Sequence, residues 1–374
     1  MNNQYMPDAA NILYGSYIRY DTLYGMTNYA FYGKCYADSV NIFIDIYSLL
    51  KSLYRQGDNL LIKDSYVIAS CMINLAIHLR AYFETRHRVS SKIYLIYGGA
   101  RNETLQELCS GYNQKNIIME DSNQYLYGLV KDNMDVMGIL CPYLYDIFFI
   151  CDYKNEFSVI ASYIIDIHNG YHEGMTDEEL RKLPPNIIYS KEQLAYQLVA
   201  SKPHTFLYRP KKKANNDASF VVTKSILYDS YRFGELDLKT SLDCKLPDVR
   251  LFSLLQTISG VKSRNIKGCK QTNSAIKLIS ECVERGIFAN GYRYNSIIGN
   301  SQTDSALYKI IAECRLPPNL MNIFLAVDLD YNLSVYRSYA KTLELSFVNL
   351  YDPQEVRNIN DKYFQLYPLD LNRV

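Results

Sequence analysis

The residues able to do chemistry in this chain are carboxylates near the ends of apolar runs and cations clustered at two turns. In an open α/β sheet the reacting groups gather where strands end. Asp45 closes the run NIFIDI (41–46), Glu156 follows DIFFIC (146–151) by a few residues, and Glu192 follows NIIY (186–189). Carboxylates that converge at strand ends offer hard oxygen ligands to a divalent cation. Asp45 also fits two plainer roles, a helix N-cap or the partner of an arginine. The cations are Arg209, Lys211, Lys212 and Lys213 around Pro210, then Lys262, Arg264, Lys267 and Lys270. Such groups bind phosphates without sequence preference, meet an acidic protein surface, or stand as solvated turns.

Other constellations read more plainly. His168 and His172 stand four apart near Asp166 and Glu173, the spacing of a helical zinc pair. Gly170 interrupts them and no Glu follows the first His, so they read as a solvated helix end. Asp328 and Asp330 alternate at what reads as a strand end and are expected at the surface. No phosphate-cradling Gly-x-x-x-x-Gly-Lys-Ser/Thr loop occurs.

Positioning these residues falls to a strand–helix alternation. Strands are expected at 41–46, 92–97, 116–119, 146–151 and 186–189, and a hairpin at 205–208 and 219–223 with the first basic run at its tip. Between them lie helices at 65–83, 156–167 and 191–200, with another starting at 48–54. From about 236 the text turns helical, at 248–258, 272–284 and 303–314, before a last apolar run at 322–327. Strands separated by helices imply a mainly parallel sheet covered by helices. The expected organisation is a tyrosine-rich N-terminal extension (1–40), an α/β core (41–235), and a helical part of the same fold (236–374).

Composition narrows the classes. Forty basic against thirty-nine acidic residues leave a charge of +1, so nucleic-acid binding would need a local patch. No run approaches the roughly 18 apolar residues of a membrane span, and the first residues lack the layout of a signal peptide. Nine cysteines are scattered with no CxxC, which speaks for a reducing compartment. Thirty-six tyrosines and no tryptophan, in an Asn- and Ile-rich text, suit an AT-rich genome, viral or bacterial. Tyrosine also supplies amphipathic contact area for packing against other proteins.

Taken in order, the strand ends resemble the motifs of the 5′-to-3′ exonuclease and flap-endonuclease family, a PIN-like fold, and particularly its phage RNase H branch. The resemblance runs from about residue 41 to 331. Asp45 in IFIDIYS takes the family's first Asp, Gly98 its glycine after the second strand, and Glu156 its Glu. Gln197 and Leu198 in IIYSKEQLAYQL match the next segment, and Gly260, Asn265, Ile266 and Gly268 match the helical-hairpin motif. At positions where the family places aspartates stand Tyr97, Ser158, Val159, the segment Lys191-Glu192-Gln193, Val261 and Arg264. The resemblance therefore implies the fold without most of the metal ligands, leaving Asp45, Glu156 and Glu192 as remnants. Arg264 would bring positive charge toward the site, pair with Asp45 or Glu156, and fill the space a metal would take.

The function this implies is a degenerate 5′-nuclease-fold protein acting as a structural or interaction subunit of a phage or viral particle or DNA-handling assembly. Its partners would be protein subunits, in the host cytoplasm or the virion. No cofactor is expected unless Asp45 and Glu156 still hold Mg2+. The alternatives are a non-catalytic nucleic-acid-binding protein using the two basic groups, the second of which lies at the helical hairpin that grips duplex backbone in the family, and a divergent metal-dependent 5′-nuclease.

Overall fold

The computed structural model describes residues 39–48, 66–99, 102–112, 124–168, 175–190, 192–202, 204–209, 220–222, 246–292, 294–302, 304–340, 350–365 and 368–373. The expected extension 1–40, apart from its last two residues, lies outside them. So do the expected strand 116–119, most of the helix from 48, the Lys211–Lys213 tip and His172.

The strands form because their sequences bury both faces. They are β1 (Ser39–Asp45), β2 (Ser90–Gly98), β3 (Ile147–Asp152), β4 (Asn186–Tyr189) and β5 (Thr205–Arg209). Runs such as NIFID, IYLIY and IFFIC are nearly continuous in apolar residues, as parallel strands covered on both sides require. They pair in the order β3-β2-β1-β4-β5, all parallel, and β6 (Phe220–Val222) adds an antiparallel edge beside β5.

Alternate side chains enter opposite cores. Phe43, Tyr94 and Phe148 point to one face, where Tyr94 stacks between the other two at centroid separations of 4.8 and 5.2 Å. Ile42, Ile44, Ile93, Leu95 and Ile147 point to the other, under α1 (Val67–His87) and α3 (Gln124–Leu140), which with α2 (Glu103–Leu108) precede β3. The first core also takes in α4 (Phe157–His168), α6 (Ala195–Ser201), α7 (Phe252–Ser259) and α8 (Thr272–Glu284), so the expected core and the helical part beyond 236 share it. The short α5 (Asp177–Lys182) precedes β4.

Two expectations change. The helix expected at 191–200 begins only at Ala195, because the segment before it is drawn into side-chain contacts. Glu192 N–H donates to Ser190 Oγ at 3.0 Å, and Gln193 O accepts from Gln256 Nε2 at 2.8 Å. The apolar run 322–327 belongs to a helix, not a strand. After α9 (Tyr294–Ile298) and α10 (Ala306–Glu313), α11 spans Leu320–Val327 and α12 Leu329–Ala340, with Asp328 at the junction.

Candidate functional site

The chain leaves β1 toward β2 on one side and later returns to lay β4 on the other, so the strand ends of β1 and β4 frame the crevice of a topological switch point. Asp45 ends β1 there and is 2% exposed. Its Oδ1 accepts from Ser48 N–H at 2.9 Å, the bond of a helix N-cap. Its Oδ2 accepts from the Ser48 and Ser190 hydroxyls. Burial raises the Asp45 pKa, against the pull of both serines and of the Arg264 charge.

Glu156 is brought in by β2 and the turn after β3. A Cβ on Gly98 would lie 2.2 Å from Phe157 N, so only glycine lets the strand end approach the start of α4 this closely. Glu156 starts that helix, its carbonyl accepting from Val159 and Ile160 N–H at 3.1 Å each. On its carboxylate, Oε1 accepts from the Tyr112 hydroxyl and Oε2 lies 3.1 Å from Arg264 Nη2. Burial lifts the Glu156 pKa to about 7, opposed by Arg264 and reinforced by Asp45. Glu192 comes from the loop after β4. Its Oε1 contacts the same Arg264 Nη2, and its Oε2 accepts from Ser158 Oγ at 3.4 Å.

Arg264 arrives on a hairpin of β7 (Gly260–Val261) and β8 (Ile266–Lys267), joined by a 3-10 turn. Gly260 sits at φ +84, and a Cβ there would meet Gly268 N at 2.3 Å. Asn265 at φ 57 closes the turn, and its Nδ2 donates to Gly111 O at 3.2 Å, fastening the hairpin beside Tyr112.

The structure thus gathers Asp45, Glu156, Glu192 and Arg264. Among the alternatives for Asp45, the N-cap is formed. Arg264 pairs with Glu156 as expected, and with Glu192 rather than Asp45. It also leaves the second basic group, since it is only 6% exposed, whereas Lys262 and Lys267 are exposed and Lys270 is half-buried. Of the first group, Arg209 ends β5 and Lys211, Lys212 and Lys213 lie outside the described residues.

Asp328 corrects a surface expectation. It is 4% exposed, its Oδ1 caps α12 by accepting from Tyr331 N–H at 2.9 Å, and burial lifts its pKa to about 7. Tyr112, Ser48, Ser190 and Asp152 escaped the sequence reading. Only Ser48 carried a signal, three residues after an Asp at a strand end. Asp152 ends β3 opposite Gly98, but its oxygens are taken by Lys154 N–H, Asn155 N–H and Asn155 Nδ2 at 2.9 to 3.1 Å.

These donors do not fit a two-metal centre. Tyr97, Val159 and Val261 are buried without a carboxylate to offer, and a guanidinium holds Glu156 and Glu192. Among the described residues no group of three or more His, Cys, Asp or Glu side chains is disposed to hold a metal ion. No helix among them is long and apolar enough to cross a membrane.

No family model and no curated protein matches the chain. Solved structures similar to it include the bacteriophage T5 flap endonuclease co-crystallised with metal ions, at 12% identity and a TM-score of 0.49 over 87% of this chain and 98% of that one. A pseudo-enzyme–product complex of that endonuclease with DNA and metal ions gives 14% and 0.48 over the same shares. The catalytic core of Rad2 in complex with DNA substrate gives 14% and 0.37 over 87% of this chain and 92% of that one. The chain is similar in fold to these 5′-nucleases along most of its length.

Proposed function

We propose that this chain is a 5′-nuclease-fold protein that does not run two-metal phosphodiester cleavage and serves as a structural or interaction subunit of a larger assembly, a phage or viral particle or a DNA-handling complex. One observation carries the reading, the Arg264 guanidinium seated between Glu156 and Glu192. Two dications about 4 Å apart repel strongly unless carboxylates surround them. Here Asp45 is spent on Ser48 and Ser190, and the two glutamates are spent on a permanently charged guanidinium. The tyrosine-rich composition, 36 in all, supports a role in packing against other subunits.

The test is cleavage of flap and 5′-overhang DNA with Mg2+ or Mn2+, using Asp45→Ala as control. No cleavage above the Asp45→Ala background is expected. Turnover abolished in that variant would overturn the reading. A second reading, non-catalytic nucleic-acid contact, is favoured by the exposure of Lys262 and Lys267 on the hairpin, with Lys277 exposed on the helix after it. Phosphate-driven binding must weaken steeply with salt, and it should drop in Lys262→Glu/Lys267→Glu. Salt-independent or absent binding removes it.

A further inference from the structure

Two thiols meet where the ends of α8 and α10 come together. Cys282 lies in the last turn of α8 and is fully buried in the first core. Cys314 directly follows α10, packs against the same core and is partly open to solvent. Their thiols interact side chain to side chain. The backbone fixes both positions. Past Cys282, Gly286 at φ +70 closes α8, its N–H donating to Val283 O at 2.9 Å while Ile287 N–H donates to Cys282 O at 3.0 Å. Past Cys314, Arg315 at φ 52 closes α10 in the same way, with Leu316 N–H donating to Ile311 O at 3.0 Å. An ion pair between Arg285 and Glu313 joins the two helix ends, and both charges act on the Cys282 thiol. A disulfide needs Cβ atoms only about 4 Å apart, so between rigid positions it forms only where the side chains already meet.

We infer that Cys282 and Cys314 are a modification site for hydroperoxides, closing into a disulfide that staples α8 to α10. The two sulfurs divide the work by exposure. Cys314, reachable from solvent, attacks one peroxide oxygen and becomes a sulfenic acid. The other oxygen leaves as water with the proton of the Cys314 thiol. Cys282 Sγ then displaces the sulfenic hydroxyl, which takes the Cys282 proton and departs as a second water. Two electrons have passed from the sulfurs to the peroxide. Burial, and after it the Cys314 thiol, holds the Cys282 pKa up at about 12, so oxidant from bulk solvent meets a shielded, protonated sulfur there. The contribution of Cys314 ends once that residue is a neutral sulfenic acid, which favours the second step. The site uses none of the residues around Arg264, so the inference stands apart from the proposed function.

The experiment treats the folded full chain with hydrogen peroxide, blocks the remaining free thiols, and digests with trypsin. Trypsin cuts after Lys277, Arg285, Lys309 and Arg315, which leaves each cysteine alone in a short peptide, 278–285 and 310–315. Mass spectrometry is expected to find these two peptides joined, lighter by two hydrogens, and separated again by dithiothreitol. The staple should raise the melting temperature on the order of 5 °C, and dithiothreitol should reverse the rise. Cys314→Ser and Cys282→Ala should show no peroxide-dependent rise. The joined wild-type peptide needs no variant, so a Cys282→Ala chain that fails to fold leaves the test intact. Cys314 driven to its sulfinic acid while Cys282 stays free overturns the inference. So does a link from either cysteine to a different one in preference, or a joined pair formed equally well in urea. A joined pair without the rise would remove the staple.

Discussion

Replacing Asp328 by Asn should make the protein more stable at pH 8 and leave it nearly unchanged at pH 4. Asp328 sits at the junction of α11 and α12, 4% exposed, with its Oδ1 capping the second helix through Tyr331 N–H. Burial is the main force raising its pKa from 3.8 to about 7, and the Asp330 charge adds to it. Asn keeps the size and the capping oxygen, and it caps helices about as well as Asp. What it removes is the titration.

The folded pKa lies above the unfolded one, so below pH 4 both states hold the proton and the carboxyl costs nothing. Between pH 4 and 7 the unfolded chain releases its proton while the folded chain keeps it, and stability falls as pH rises. Above pH 7 the cost is complete. A gap of about 3 units at 1.36 kcal/mol each sets it at roughly 4 kcal/mol, an upper bound because local relaxation lowers it. Urea unfolding of both proteins from pH 4 to 8 measures the difference, and other carboxylates cancel between the two curves. A wild-type-to-Asn difference that stays constant across that range would refute a buried, proton-holding Asp328.

Two further outcomes follow from the site. Arg264→Met leaves Glu156 and Glu192 buried without their cation, so a loss on the order of 3–5 kcal/mol is expected at pH 8. The loss should shrink toward pH 5 as Glu156, already shifted to about 7, takes up a proton; equal losses at both pH values in urea melts would contradict this. Gly98→Ala forces a Cβ to within 2.2 Å of Phe157 N and should cost about 1–3 kcal/mol or more, read from the urea midpoint. An unchanged midpoint would mean that β2 and α4 are not locked in this approach.

Much of the fold was legible because parallel strands buried on both faces read as unbroken apolar runs. NIFIDI, KIYLIY, DIFFIC and NIIY all fall on strands, and 272–284 is the helix expected. The run 322–327 misled because a short apolar stretch has the same look in a buried helix as in a strand. Long-range contacts were the illegible part of the site. Tyr112 meets Glu156 across 44 residues and Ser190 meets Asp45 across 145, and no local pattern marks either. The Arg264 pairing was half legible: a cation at a carboxylate position announces an ion pair, but which acids it meets depends on how the loop after β4 folds.

The resemblance also divides along physical lines. The glycines that match the 5′-nuclease pattern, Gly98, Gly260 and Gly268, are each fixed by backbone, since an added Cβ would fall within 2.3 Å of a neighbouring main-chain atom. The close approaches of β2 to α4 and of the two hairpin strands need them whatever the site does. Carboxylates answer to a different demand. A buried acid costs free energy unless something neutralises it or donates hydrogen bonds to it. The positions divide accordingly: Tyr97, Val159 and Val261 pack into apolar surroundings, and the acids that stay are those with a donor in place. Asp45 has its serines and helix cap, Glu156 its tyrosine and Arg264, Glu192 the same arginine. The glycines and the retained acids therefore answer to separate demands, close backbone approach for the first and neutralisation of buried charge for the second.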